Sequence, residues 1–173
     1  MIKKTAGLAT ILVSVLALTG CGATGAQAPT RNIKQVTDGV EVQSGSIYIR
    51  DLLLVAQPDG TGALVGTFIN EGSASDSLTG IKVAGIDATL SSASSSFELA
   101  QNTPLIFSGD SANATGYVTG LNAAPGTRVD VVVSFAHSPS VTLSALVRAK
   151  SDYFAGVGGK PAQTPAPSAT PTK

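Results

Sequence analysis

Apolar and polar residues alternate through the middle of the chain with the period of two that is typical of β-strands. The segment 47–55 has this pattern, and a Gly-rich turn separates it from a second apolar segment at 63–70. The pattern returns at 129–135 and at 141–147, on either side of the turn His137-Ser138-Pro139. Each pair of segments therefore predicts a β-hairpin.

Shorter strand candidates, each bounded by Gly, Ser, Asn or Pro, lie at 78–83, 86–90, 97–100, 105–108 and 115–121. No stretch after residue 20 keeps a helical period for three turns, which excludes a parallel α/β fold. About eight or nine short strands, with turn signals roughly every 8 to 12 residues, are typical of a β-sandwich. We predict an all-β domain over residues 37–151, an antiparallel Greek-key sandwich of the cupredoxin or immunoglobulin type.

The N-terminus has the pattern of an export signal. Lys3 and Lys4 precede an apolar run at 8–18. This run is too short to cross a bilayer core of about 30 Å as a helix, and it follows the cationic residues as the apolar part of a secretory signal does. We therefore assign residues 1–20 to a signal peptide.

The apolar run ends in Leu18-Thr19-Gly20-Cys21, which resembles the lipobox of bacterial lipoproteins. The resemblance implies that the Cys21 thiol receives a diacylglyceryl group, that the signal is cut before Cys21 and that the new N-terminus is acylated. Because two acyl chains form a durable anchor, the membrane is an expected partner through Cys21. The expected location is the outer, extracytoplasmic face of the cell membrane. The alternative is an ordinary secretory signal that leaves Cys21 as a free thiol.

The segments on either side of the predicted domain are low in complexity. Residues 21–36 are small and polar after the lipidation site, and they predict a flexible tether. Residues 152–173 are rich in Pro, Ala and Thr and predict a disordered tail. The tail is either a solvated terminus or a segment that contacts the cell wall or carries glycans. A cell-envelope protein and a cell-wall polymer are the partner classes left open.

Composition narrows the function classes further. The chain of 173 residues has 11 Lys plus Arg and 11 Asp plus Glu, so its formal net charge is zero and nothing points to a nucleic-acid partner. Within residues 38–150, however, five cations stand against ten carboxylates, which makes the predicted domain acidic. One Cys, one His and one Met exclude an intramolecular disulfide and leave few soft metal ligands. We expect no cofactor.

Candidate catalytic groups are sparse. Gly109-Asp110-Ser111 matches the opening of the GDS-type serine esterases, but no helical pattern follows it. Ser134 also stands where those enzymes have an Asp, three residues before the histidine. His137 is a candidate metal ligand or general base, or a solvated turn histidine, and the loop carboxylates lack the spacing of a calcium loop. We therefore predict no catalytic residues and no enzyme, with His137 as the one metal candidate.

One part of the chain resembles a known family. The run Leu64-Val65-Gly66-Thr67-Phe68-Ile69-Asn70-Glu71-Gly72, followed by Asp76-Ser77-Leu78, is similar to a strand, an Asn-x-Gly turn and a strand entry of the periplasmic copper chaperone PCuAC family. The later part, from Pro104 to the final hairpin at Val147, follows the same order of elements. The resemblance implies a cupredoxin-like sandwich that binds copper through a His and Met pair, a further Met and a His-x-Met motif.

The resemblance does not extend to the copper ligands, which are soft imidazole and thioether groups. When the chains are matched on Gly120-Leu121, the His-x-Met motif falls on Thr115 and Tyr117, and the earlier ligands fall within 84–99, which contains neither His nor Met. We therefore predict a non-enzymatic binding or accessory module that is related to copper chaperones but lacks their site. The alternative is a metal-binding chaperone with an altered site made of His137, carboxylates and Tyr117.

Overall fold

Strands account for nearly all of the regular structure in residues 38–158, the part of the chain that the computed structural model describes. In chain order they are β1 (Val40–Ser44), β2 (Ile47–Ala56), β3 (Gly62–Asn70), β4 (Asp76–Val83), β5 (Ile86–Asp87), β6 (Thr89–Ser92), β7 (Glu98–Leu99), β8 (Leu105–Ile106), β9 (Ala114–Val118), β10 (Arg128–Phe135) and β11 (Val141–Ala149), followed by a 3-10 helix at Asp152–Phe154. No helix within these residues is long and apolar enough to span a membrane. The predicted signal peptide, Cys21, the predicted tether and tail residues 159–173 lie outside the described residues.

Both predicted hairpins are confirmed. β2 pairs with β3 and β10 pairs with β11, each in antiparallel register. The alternation sends one set of side chains inward, so that Ile47 and Ile49 of β2 and Val131 and Val133 of β10 are each at most 1% exposed. Burial of these apolar side chains is the main favourable contribution to the fold.

The strands run in the order β5-β4-β10-β11-β2-β3-β9-β6, while β1 pairs with β2, β7 with β4 and β8 with β3. These pairings are antiparallel, as predicted, except that β11 runs parallel to β2, with Arg148 opposite Val55. This parallel pairing joins the two hairpins edge to edge. The strand arrangement around one apolar core confirms the predicted all-β class.

A second apolar cluster lies on the outer face of β2 and β3. Leu52 and Leu54 face the main core, so their neighbours Leu53 and Val55 face the opposite side of the sheet, because successive side chains of a strand alternate. Phe154 and Val157 cover that side, being 8% and 9% exposed. The sequence pattern predicts a disordered tail at residues 152–173. In the structure the chain remains packed against the sheet through Val157, because burial of the apolar outer face of β2 is favourable.

β1, which the sequence pattern did not predict, pairs with β2 across a bulge. The registers of both β1 and β3 against β2 shift at Asp51, which has a φ of 53°. Gly39 fits beside this bulge because any Cβ at that position would collide with the backbone of Asp51. The bulge turns Asp51 out of the regular strand, toward the outer face of the sheet.

Candidate functional site

The positions matched to the copper ligands of PCuAC domains lie on the paired strands β6 and β9. Ser91 pairs with Thr115, and Thr89 pairs with Tyr117. Residues 89–92 of the segment 84–99 therefore lie beside the matched His-x-Met positions. Because residues two apart in a strand share a face and directly paired residues share it too, these four side chains form one patch, which we call the hydroxyl patch. All four carry a neutral hydroxyl group.

The hydroxyl patch offers no soft donor to a metal. Cu(I) prefers thioether, thiolate and imidazole ligands, whereas alcohol hydroxyls are poor ligands for it. Among residues 38–158, no group of three or more His, Cys, Asp or Glu side chains could hold a metal ion. The altered site built on His137 and Tyr117 is not assembled in this part of the chain, because His137 follows β10 and contacts Asp76 at the start of β4.

Asp76 and His137 form a structural connection between β4 and the turn after β10. The Asp76 carboxylate is 5% exposed, and its Oδ1 accepts hydrogen bonds from the backbone N–H groups of Ser77 and His137 at 2.7 and 2.9 Å. Its Oδ2 accepts one from the N–H of Ser138 at 2.8 Å. His137 Nδ1 lies 3.2 Å from Oδ1, on a side chain that is 79% exposed.

The charge of Asp76 is set by this arrangement. Burial opposes ionisation of the carboxyl group, but the hydrogen bonds from Ser138, Ser77 and His137 outweigh it and hold the pKa of Asp76 well below its ordinary value. The carboxylate is thus ionised and its oxygens are used by the backbone, so it stabilises the turn that contains His137.

Ser111 lies in an exposed turn between β8 and β9. The turn begins at Gly109, which has a φ of 97°, and the N–H of Ala112 donates to its carbonyl at 3.1 Å. The strand β9 follows this turn, where the GDS-type esterases have a helix. His137 has Asp76, not Ser111, as its side-chain partner. The structure does not bring the groups of a serine hydrolase together around Ser111.

A cleft of about 560 Å³ lies on the outer face of β2 and β3, beside the bulge, and we call it the outer cleft. Its apolar lining includes Leu53, Val65 and Phe154. Its polar lining includes Asp38, Asp51, Thr67, Ser108, Arg148 and Asp152. Tyr153 stands at its edge with 92% of its surface exposed.

Side-chain contacts along one side of the outer cleft connect β11 to the 3-10 helix. Arg148 Nη2 lies 3.5 Å from Asp38 Oδ2, and its guanidinium lies over the Phe154 ring at 5.7 Å. Tyr153 meets Phe154 edge to face, with ring centroids 5.5 Å apart. Sequence reasoning missed this cleft because it depends on β11 lying beside β2. The aromatic pair Tyr153-Phe154, at the start of a segment otherwise rich in small residues and Pro, was the signal available.

Comparisons with known proteins identify the fold. No family model matches the sequence, and no curated protein does. Among solved structures, the copper-bound PCuAC domain from PmoF2 is similar over 64% of this chain and 98% of its own, with a TM-score of 0.55 and 19% identity. The apo PCuAC domain from PmoF1 is similar over 64% of this chain and 99% of its own, with a TM-score of 0.56 and 17% identity. The described domain therefore has the fold of PCuAC domains, which confirms the predicted cupredoxin-like β-sandwich.

Proposed function

We propose that this chain is a lipid-anchored β-sandwich module at the outer face of the cell membrane, which binds a ligand or partner without catalysis and without the copper site of PCuAC domains. The observation that carries the proposal is the hydroxyl patch. It contains Thr115 and Tyr117, the positions that the resemblance matches to the His-x-Met motif, in a domain with the PCuAC fold, and none of its side chains is a soft ligand.

The surroundings of His137, the other metal candidate, also support a module without a metal site. A metal at His137 would need Asp76 as its nearest carboxylate, yet the oxygens of Asp76 already accept three backbone hydrogen bonds. A metal at this carboxylate would compete with these partly buried N–H donors for its oxygens, which costs free energy. A solvated histidine at the edge of a turn accounts for the position of His137.

The anchor is proposed from Cys21 and the residues before it. Two acyl chains give durable membrane attachment, since each buried methylene contributes about 0.8 kcal/mol. A Cys21→Ser variant tests this. In a bacterial host grown with labelled palmitate, the native chain should carry label and sediment with membranes, and the variant should do neither. Label on the variant would contradict lipidation at Cys21.

The absence of copper is tested on the same material. The full chain, extracted from membranes in a zwitterionic detergent, is incubated with Cu(I), freed of excess metal and analysed for copper. We expect no retained copper in the native chain or in a His137→Ala variant. One equivalent of copper in the native chain that is lost in His137→Ala would establish the altered metal site instead.

A further inference from the structure

We propose that the outer cleft binds a neutral oligosaccharide, with Tyr153 as the platform on which a sugar ring stacks. The inference rests on the proposed role as a non-enzymatic binding module and names its ligand class. It concerns the face of β2 and β3 that carries Leu53 and Val65, not the hydroxyl patch on β6 and β9.

The size of the outer cleft fits this class of ligand. Binding clefts for small molecules are mostly about 300 to 1,000 Å³, and the volume of about 560 Å³ found here lies in that range. A second cleft of about 450 Å³ shares Val65, Ser108, Tyr153 and Phe154 with the first. The two aromatic residues therefore line both clefts, as a platform for successive rings of an oligosaccharide would.

The aromatic ring of Tyr153 is exposed beside a buried aromatic neighbour, Phe154. It is 92% exposed, and the only other large hydrophobic residue exposed within residues 38–158 is Ile86, at 39%. The Tyr153 ring meets the buried Phe154 edge to face, and Arg148 packs over Phe154 in turn. An exposed tyrosine ring offers large contact area at a small cost in conformational entropy.

The polar lining disfavours an anion and offers both acceptors and donors of hydrogen bonds. Asp38 and Arg148 form an ion pair, whereas the carboxylates of Asp51 and Asp152 have no ion pair or hydrogen bond within the described residues. An anion would therefore meet two unpaired carboxylates in the cleft. Sugar hydroxyls can donate to the carboxylates and accept from the guanidinium.

The backbone at the outer cleft is strained at two points. Asp51 and Asp152 have φ values of 53° and 49°, in the left-handed region. Glycine would adopt this conformation at lower cost, and non-glycine residues that persist there cluster at binding sites. Both positions carry a carboxylate that lines the cleft.

Saturation-transfer NMR on the full chain, purified in a zwitterionic detergent, tests the proposal. The probes are cellotriose, maltotriose and tri-N-acetylchitotriose, each titrated to millimolar concentration. We expect saturable transfer to at least one of them. Tyr153→Ala should weaken that binding about tenfold, Tyr153→Phe should retain it, and Ile86→Ala, an exposed apolar control outside the cleft, should leave it unchanged.

Salt dependence separates a neutral ligand from a cationic one. Binding of the saccharide should change little with ionic strength and should persist in Asp152→Asn, because an amide oxygen still accepts a hydrogen bond. No transfer to any of the three saccharides would overturn the proposal, and so would binding that Tyr153→Ala leaves intact. Saturable binding of trilysine that is lost in salt and in Asp152→Asn, without saccharide binding, would identify a cationic ligand and also overturn it. None of these results depends on the copper measurement above.

Discussion

The side-chain amide of Asn70 donates a hydrogen bond to the carbonyl of Leu99 at 2.8 Å, and both residues are fully buried. The same amide group donates to the carbonyl of Ala74 at 2.7 Å. Its Oδ1 accepts from Ser46 Oγ at 2.8 Å and from the N–H of Gly72 at 2.9 Å. One buried side chain therefore connects the turn after β3, the turn between β1 and β2 and the end of β7, which explains the Asn-x-Gly pattern in physical terms.

Replacing Asn70 should destabilise the domain strongly. Asn70→Ala leaves the buried carbonyl of Leu99 and other buried groups without a partner, and we expect it to lower the free energy of unfolding by about 3 kcal/mol. Asn113 is a matched control, because its amide also bonds the backbone in both directions, to Ile106 and Pro104, but at an exposed position. Asn113→Ala should cost less than about 1 kcal/mol. Urea unfolding measures both, and equal losses would contradict the role of burial.

Asp76 should make the stability depend on acid pH. Since its pKa is held below the ordinary value of 3.8, the unfolded chain binds more protons, and the stabilisation is fully present above pH 3.8 and is lost as the pH falls toward the lowered pKa. Asp76→Asn should therefore cost about 2 kcal/mol at neutral pH, and the difference from the native chain should shrink below about pH 4. Asp110→Asn, in an exposed turn, is the control. A difference that stays constant from pH 7 to acid would show that the charge of Asp76 is not what stabilises the turn.

Phe154 should matter for stability and Tyr153 should not. Phe154→Ala uncovers Leu53, Val55 and Ala63 on the outer face. We expect a loss of about 2 kcal/mol, less than is usual for the truncation of a core aromatic residue, because the site lies at the edge of the fold. Tyr153→Ala removes an exposed ring and should change the free energy of unfolding by less than about 0.5 kcal/mol. Thermal unfolding of the two variants, measured under the same conditions, checks both expected losses of stability. A larger loss of stability for Tyr153→Ala than for Phe154→Ala would mean that the packing of Phe154 on the outer face depends on the Tyr153 ring.

The left-handed backbone conformation at Asp51 should decide which substitutions the bulge tolerates. Asp51→Gly keeps the left-handed conformation without a Cβ and should change the free energy of unfolding by less than about 1 kcal/mol. Asp51→Val places a β-branched residue at a φ of 53°, and we expect it to cost about 2 kcal/mol. Chemical denaturation of both variants tests this. A valine variant as stable as the glycine variant would show that the bulge is not constrained at this residue.

The strands could be predicted from the sequence where the pattern is local. In the hairpins that contain Ile47 and Val131, alternation and turn residues lie within one short segment, so both pairings could be predicted. β1 was missed because Val40 and Val42 offer only one alternation beside charged residues. The parallel pairing of Arg148 with Val55 could not be predicted, because the direction in which two hairpins meet depends on packing that no local pattern records.

The same limit applies to the candidate sites. The lack of soft ligands at Thr115 and Tyr117 could be inferred from sequence alone, because residue type decides it. The outer cleft could not, since Asp51, Arg148 and Tyr153 come from three distant segments that only the sheet brings together. Composition also gave a wrong prediction at Phe154, which was assigned to the disordered tail because the residues after it are rich in Pro. The aromatic pair Tyr153-Phe154 was the only local sign of packing there.

Competition titration with Cu(I) tests whether the hydroxyl patch lacks the copper site of PCuAC domains. The full native chain is compared with a variant that restores soft ligands to the hydroxyl patch, Ser91→Met combined with Thr115→His and Tyr117→Met, whose positions share one face of β6 and β9. We expect the variant to bind one equivalent of Cu(I) at micromolar or lower concentration, and the native chain to show no saturable binding. Saturable binding of Cu(I) by the native chain, as tight as in the variant, would contradict it.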